Sequence, residues 1–281
     1  MRRKPASSGA LLLAWLILAA ASPAPSATLA ESPSAQYDRC LAMTRDNPQK
    51  ALTQAEFWHQ QGGGFPAEHC AGVALIGLGR YAEAAQRLER LAAAMMQEPA
   101  ELRAATLEQA GEAWIMADQP DQAKPVFDAA LAYNARNPEL LIDRADAYAL
   151  GGHYWEAIDD LNSALDIDPN NVMALIFRAS AYRNAGGKDG LELALADVNK
   201  ALQIDPTESS GLLERGNILR LKGNAKGARA DWEAVIRLAP DSPAGRDARD
   251  NLSHISENGA APALMTEAPQ KQQRNPLRTA P

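Results

Sequence analysis

From Pro138 to Pro169 the chain reads PELLIDRADAYALGGHYWEAIDDLNSALDIDP. Apolar and small residues fall at Leu141, Ala145 and Tyr148, then, after Gly152, at Ala157, Leu161 and Ala164, before Pro169. Steps of three and four residues put each set on one face of a helix, and the glycine between them marks a turn. The same order returns downstream as Leu175, Ala179, Tyr182, Gly186, Ala194, Val198, Ala201 and Pro206, with a turn about three residues longer. It returns again as Leu212, Gly216, Gly223, Ala228, Trp232 and Pro240. Two weaker copies precede these, one anchored by Gly72, Gly79, Tyr81 and Ala84, the other by Leu107, Gly111, Trp114, Ala123, Phe127 and Ala130. The pattern predicts five two-helix units of about 34 residues, over 65–98, 104–137, 138–171, 172–208 and 209–242.

A second regularity runs through the last three units. Each has Arg at its seventh position (Arg144, Arg178, Arg215) and, allowing for the longer fourth turn, Asp at its twenty-third (Asp160, Asp197, Asp231). The first two units have Ala71 and Ala110 at the seventh position and no Asp at the twenty-third. Residues that come and go together are expected to meet, here as partly buried ion pairs between the two helices of a unit.

On these residues the chain resembles the tetratricopeptide-repeat family. The resemblance implies an all-α, right-handed α-solenoid whose first helices line a concave groove for a peptide or a partner helix. Carried over position by position, the groove comprises Glu108 and Glu112, then Glu139, Ile142 and Asp146, then Ile176, Ser180, Arg183 and Asn184, then Leu213, Asn217 and Arg220. It is expected to be acidic near its middle and basic toward its C-terminal end, over an apolar floor. The Lys and Asn set with which some family members clamp a terminal carboxylate is missing, which argues against that ligand.

The ends read differently. Arg2, Arg3 and Lys4 precede the apolar run Ala10–Ala21 and a small-residue stretch, the layout of a secretory signal peptide over residues 1–30. The run is too short for an ordinary membrane span, although an uncleaved anchor is the alternative. Cleavage would leave a chain with no integral span, exported to the periplasm or secreted. Residues 36–64 predict two helices that cap the stack, with Asn47 and Pro48 opening the second. Residues 243–255 predict a helix covering the other end, and 256–281, rich in Ala, Pro and Gln, a disordered tail. In an exported chain the only two cysteines, Cys40 and Cys70, are expected to join as a disulfide.

Composition narrows the function. Removing residues 1–30 would move the formal net charge from -7 to -10, with 25 basic against 35 acidic residues. Such a chain is a poor match for nucleic acid, whose binding requires a basic surface. The acid-rich stretch around His153, Glu156 and Asp160 invites a metal or catalytic reading. Repetition explains it better, because Asp160 recurs as an ion-pair residue and the His153–Trp155 turn has no counterpart elsewhere. No HExxH, phosphate-binding glycine loop or GxSxG occurs, and His59, His69, His153 and His254 are scattered. The expectation is therefore a scaffold without catalytic residues, metal or cofactor, binding a protein or peptide of unspecified identity. The alternatives are an accessory subunit of an envelope complex docking through the convex face or tail, and a small-molecule site or enzyme.

Overall fold

The computed structural model describes residues 32–187 and 189–255. The expected signal segment and tail lie outside the described residues. Within them the chain forms thirteen α-helices: α1 (Pro33–Asp46), α2 (Pro48–Gln60), α3 (Gly64–Gly77), α4 (Tyr81–Ala94), α5 (Ala100–Met116), α6 (Pro120–Tyr133), α7 (Pro138–Leu150), α8 (Tyr154–Ile167), α9 (Val172–Ala185), α10 (Gly190–Ile204), α11 (Ser209–Leu221), α12 (Ala225–Leu238) and α13 (Pro243–His254). From α3 to α12 they pair as five consecutive hairpins, and each hairpin packs on the next. The first helices of successive hairpins also touch directly, α5 with α7, α7 with α9 and α9 with α11, and α11 touches α13. The first helices therefore form one continuous face of the stack.

Local chemistry sets where the helices start and stop. Asn47, Asn137, Asn171, Asn224 and Ser242 each accept a backbone N–H of the helix they precede, and prolines open α2, α7 and α13. Between the two helices of each hairpin a recurring position has positive φ, at Gly79, Asp118, Gly152, Gly186 and Gly223, and the longer fourth turn adds Gly187. Counted from 65, 104, 138, 172 and 209, it is always the fifteenth. The left-handed conformation needed there favours glycine, and Asp118, of a type that tolerates it, takes the place in the second unit. Tyr154 and Trp155, expected in the turn, instead begin α8.

Packing inside a hairpin is a fit of a small residue against a large one. At the eighth position stand Gly72, Gly111, Ala145, Ala179 and Gly216; on the second helix opposite stand Leu88, Phe127, Leu161, Val198 and Trp232. A Cβ added to Gly72 would lie 2.7 Å from a Leu88 methyl, and one on Gly111 would lie 2.6 Å from the Phe127 ring. One on Gly216 would run into the Trp232 indole. All five large side chains are buried. Glycine lies under both aromatic rings and under Leu88, and alanine under Leu161 and Val198, so a small residue faces a larger one in every hairpin.

A polar clamp ties the two helices of a hairpin and in two cases reaches the preceding one. Arg144 donates to both oxygens of Asp160 at 2.8 and 2.6 Å, Arg178 to both of Asp197 at 2.8 and 2.7 Å, and Arg215 to both of Asp231 at 2.8 and 2.7 Å. The remaining guanidinium nitrogen of Arg144 reaches Asp128 and that of Arg178 reaches Asn162, each on the second helix of the preceding hairpin, at 2.7 Å. The first hairpin carries the pair reversed: Arg87, at the twenty-third position, donates to Glu68 on α3 at 2.8 and 3.0 Å. The second replaces it with buried Ala110 and Val126.

Two stability measurements check this account. Arg178→Ala leaves the Asp197 carboxylate buried without its cation and should cost about 3–5 kcal/mol; Arg178→Leu combined with Asp197→Leu should cost less than the single change. Gly111→Ala should cost about 1–3 kcal/mol by overpacking against Phe127. Urea unfolding followed by circular dichroism reads both.

Candidate functional site

The first-helix face is built by α3, α5, α7, α9 and α11, and the sixth residue of each unit lies at its seam with the element before. In the first unit this residue is Cys70, joined by a disulfide to Cys40 on α1 across a Cα–Cα distance of 6.2 Å. In the second it is Gln109, whose Oε1 lies 2.7 Å from Nε2 of His69, while the Tyr37 hydroxyl lies 2.8 Å from the other ring nitrogen. Burial holds the His69 pKa below its ordinary value. In the fourth it is Phe177, packed on the apolar core. In the fifth it is Glu214, buried, to which Arg183 of α9 donates at 2.6 and 3.1 Å.

The third seam is chemically unlike the others. Its sixth residue is Asp143 on α7, buried, and it meets Glu108 and Glu112 of α5, with carboxylate oxygens from all three within 4.8 Å of one another. One turn beyond Asp143 lies Asp146, also buried, whose Oδ2 has no hydrogen-bond partner. Burial pushes the Asp146 pKa up to about 7. Glu139, exposed at the start of α7, is a fifth acid on these two helices beside Glu108, Glu112, Asp143 and Asp146. Concentrated negative charge in a partly dry environment favours the approach of a cation, whether a proton, a metal ion or a basic side chain.

The other groove residues named from the sequence fall out differently. Ile142 and Ile176 are 3% and 4% exposed, so they belong to the core and offer no accessible apolar floor. Arg183, expected as a basic end of the groove, is held by Glu214 and also reaches the Ser180 hydroxyl at 3.3 Å. Asn184 turns back onto the Ser180 carbonyl. Asn217 accepts from Asn251 of α13 at 2.9 Å, so the capping helix already covers it. Leu213 packs on the core, and Arg220 is half-buried. The basic end is thus weaker than expected, and the acidic middle is stronger because Asp143 joins it. The signal for Asp143 was present in the sequence: an acidic residue at the sixth position occurs there and at Glu214.

The cluster around His153 gathers nothing. His153 lies 3.6 Å from Glu156 on an exposed surface, and Asp160 is taken by Arg144. A cleft beside α4 and α5 is lined by Gln86, Glu89, Arg90, Trp114, Gln119 and Gln122, a set without a nucleophile or a histidine. No helix among the described residues is long and apolar enough to cross a membrane.

Comparison with known proteins agrees with the geometry. A family model described as tetratricopeptide repeat matches residues 116–172, the second hairpin's outer helix and the whole third hairpin. Over those residues the chain is similar to the tetratricopeptide-repeat family. Among solved structures, residues 41 to the end of MamA from Desulfovibrio magneticus RS-1 superpose with a TM-score of 0.53 at 20% identity, covering 64% of this chain and 97% of that one. A second MamA structure gives 0.51 at 15% identity, covering 64% and 93%. YrrB, described as a tetratricopeptide-repeat protein with an unusual peptide-binding site, gives 0.48 at 18% identity, covering 71% and 98%. The two MamA superpositions show a shared fold. No curated protein matches the chain.

The Asp146 pKa has a sign that can be checked. A carboxyl titrating near 7 when folded and near 4 when unfolded takes up a proton on folding throughout that interval. Stability should therefore fall as pH rises from about 4 to about 7 and level off above. Asp146→Asn should flatten this slope in urea unfolding measured at intervals of pH.

Proposed function

We infer that this repeat stack is a non-catalytic docking scaffold whose first-helix face binds a protein or peptide segment bearing Lys or Arg. The observation that carries the reading is the concentration of acids at the third seam, and the fifth seam shows how an acid at that place takes a guanidinium. Where the fifth unit presents Glu214, the chain itself supplies a guanidinium, Arg183, in two-point contact. Where the third presents Asp143, the preceding helix supplies two more acids, Glu108 and Glu112. The negative charge that Asp143, Glu108 and Glu112 concentrate on this face attracts a partner's basic side chain, and an arginine can bond a carboxylate at two points. A stack of helices presenting one long face suits an extended or helical segment better than a small substrate.

The working compartment belongs to the same reading. The Cys40–Cys70 disulfide and the basic-apolar start of the chain both support export to an oxidising space, the periplasm or the exterior.

The test is binding of a fluorescent hexa-arginine peptide to the full chain, read by anisotropy at two salt concentrations. Binding should weaken as salt rises, and Glu112→Lys should weaken it about tenfold or more, corresponding to about 1.4 kcal/mol or more. Glu156→Lys, on the exposed side of α8, should leave it nearly unchanged. Equal loss in both variants, or no binding at all, would overturn the reading.

A further inference from the structure

The second helices of the last three hairpins differ in charge on their exposed sides. α8 exposes Glu156, Asp159 and Asp166 and contains no Lys or Arg. α12 exposes Lys226 and Arg237, with Arg229 half-buried between them, against one exposed acid, Glu233. Counted within their units, the three acids stand at positions nineteen, twenty-two and twenty-nine, and the three bases at eighteen, twenty-one and twenty-nine. α10 lies between the two: α9 touches α8 and α10, and α11 touches α10 and α12. Its outer side carries Leu193 and Ile204, 46% and 44% exposed. They are eleven residues apart, about three helical turns, and so fall on one line of the helix. The charges of α10 are engaged within the chain, Glu192 with Lys222 and Lys200 with the Pro169 carbonyl.

We propose that this second-helix face binds a second copy of the chain, α10 against α10, in a two-fold pair. An axis parallel to α10, passing between the two copies of it, lays α8 of each copy along α12 of the other, running in the same direction. Glu156 then meets Lys226, Asp159 meets Arg229 and Asp166 meets Arg237, and symmetry makes each contact twice. The matched repeat positions keep these pairs in register along the helices. Leu193 and Ile204 meet their own counterparts at the centre, so the contact has an apolar middle and a charged rim, the usual anatomy of a specific interface. A free basic or acidic ligand would engage α12 or α8 alone and leave this apolar middle uncovered.

Size sets the strength of the pairing. Helices of 14 or 15 residues are about 21 Å long and about 10 Å wide, so three of them offer about 600 Å² per copy. That is below the about 800 Å² per partner of a standard interface, which makes the pair concentration-dependent. The pairing does not depend on the docking reading above and adds to it: the first-helix faces of both copies stay open, so the dimer presents two of them to one partner.

Sedimentation velocity on the full chain should show monomer and dimer in an equilibrium that shifts toward monomer as salt rises. One variant carries Lys226→Glu, Arg229→Glu and Arg237→Glu; a second carries Glu156→Arg, Asp159→Arg and Asp166→Arg. Each brings like charges together in its own dimer and should dissociate at least about tenfold more readily. Mixed in equal amounts, the two variants present complementary faces again and should form a heterodimer, recognised by its mass in native mass spectrometry. Leu193→Asp should weaken the unaltered dimer without touching any charge pair. A chain that stays monomeric at every concentration, or a dimer indifferent to Leu193→Asp and to both sets of reversals, would overturn the proposal. So would two monomeric variants that fail to recombine, or open-ended assemblies in place of a dimer. Hexa-arginine binding, measured separately, keeps the docking reading distinguishable from each of these outcomes.

Discussion

The stack depends on closing each hairpin at one place, where the eighth residue of the first helix meets a large side chain of the second. Gly72, Gly111 and Gly216 leave no room for even a methyl group beneath Leu88, Phe127 and Trp232. A small residue there lets the two helices approach closely, and the large side chain it faces is buried in every hairpin. The Arg–Asp clamps act on a structure already set by this packing. They occur in three hairpins; in the first, Arg87 at the twenty-third position reaches instead to Glu68, one turn before the seventh, and in the second the two positions hold Ala110 and Val126.

Between hairpins a second recurring position does the joining. The sixth residue of each first helix lies at the preceding seam and is a disulfide, an amide–imidazole contact, a carboxylate cluster, an aromatic ring and an ion pair in turn. At the third, three acids from two helices come together, and the neighbouring Asp146 holds its proton to near neutral pH because it is buried.

Much of this was legible in the sequence because repetition supplies an internal control. Intervals of three and four residues gave the helices, the fifteenth-position glycines gave the turns, and the linked appearance of Arg144, Arg178 and Arg215 with Asp160, Asp197 and Asp231 singled out residues that the fold brings within 2.8 Å. Each of these signals is carried by spacing within one unit. The groove was less legible. Ile142 and Ile176 have groove positions but lie in the core, and the charge of Arg183 is spent on Glu214, 31 residues away.

What the sequence determined by itself was the periodic part: helix lengths, turn positions, the class of fold and the pairing of residues inside a hairpin, because these depend on short-range spacing that a linear pattern records. What only the tertiary structure decided was which side chains meet between hairpins. Those contacts depend on how each unit lies against its neighbour and on what the neighbouring helix carries there, which the periodicity does not record: α5 brings Glu108 and Glu112 to Asp143, whereas α9 brings Arg183 to Glu214.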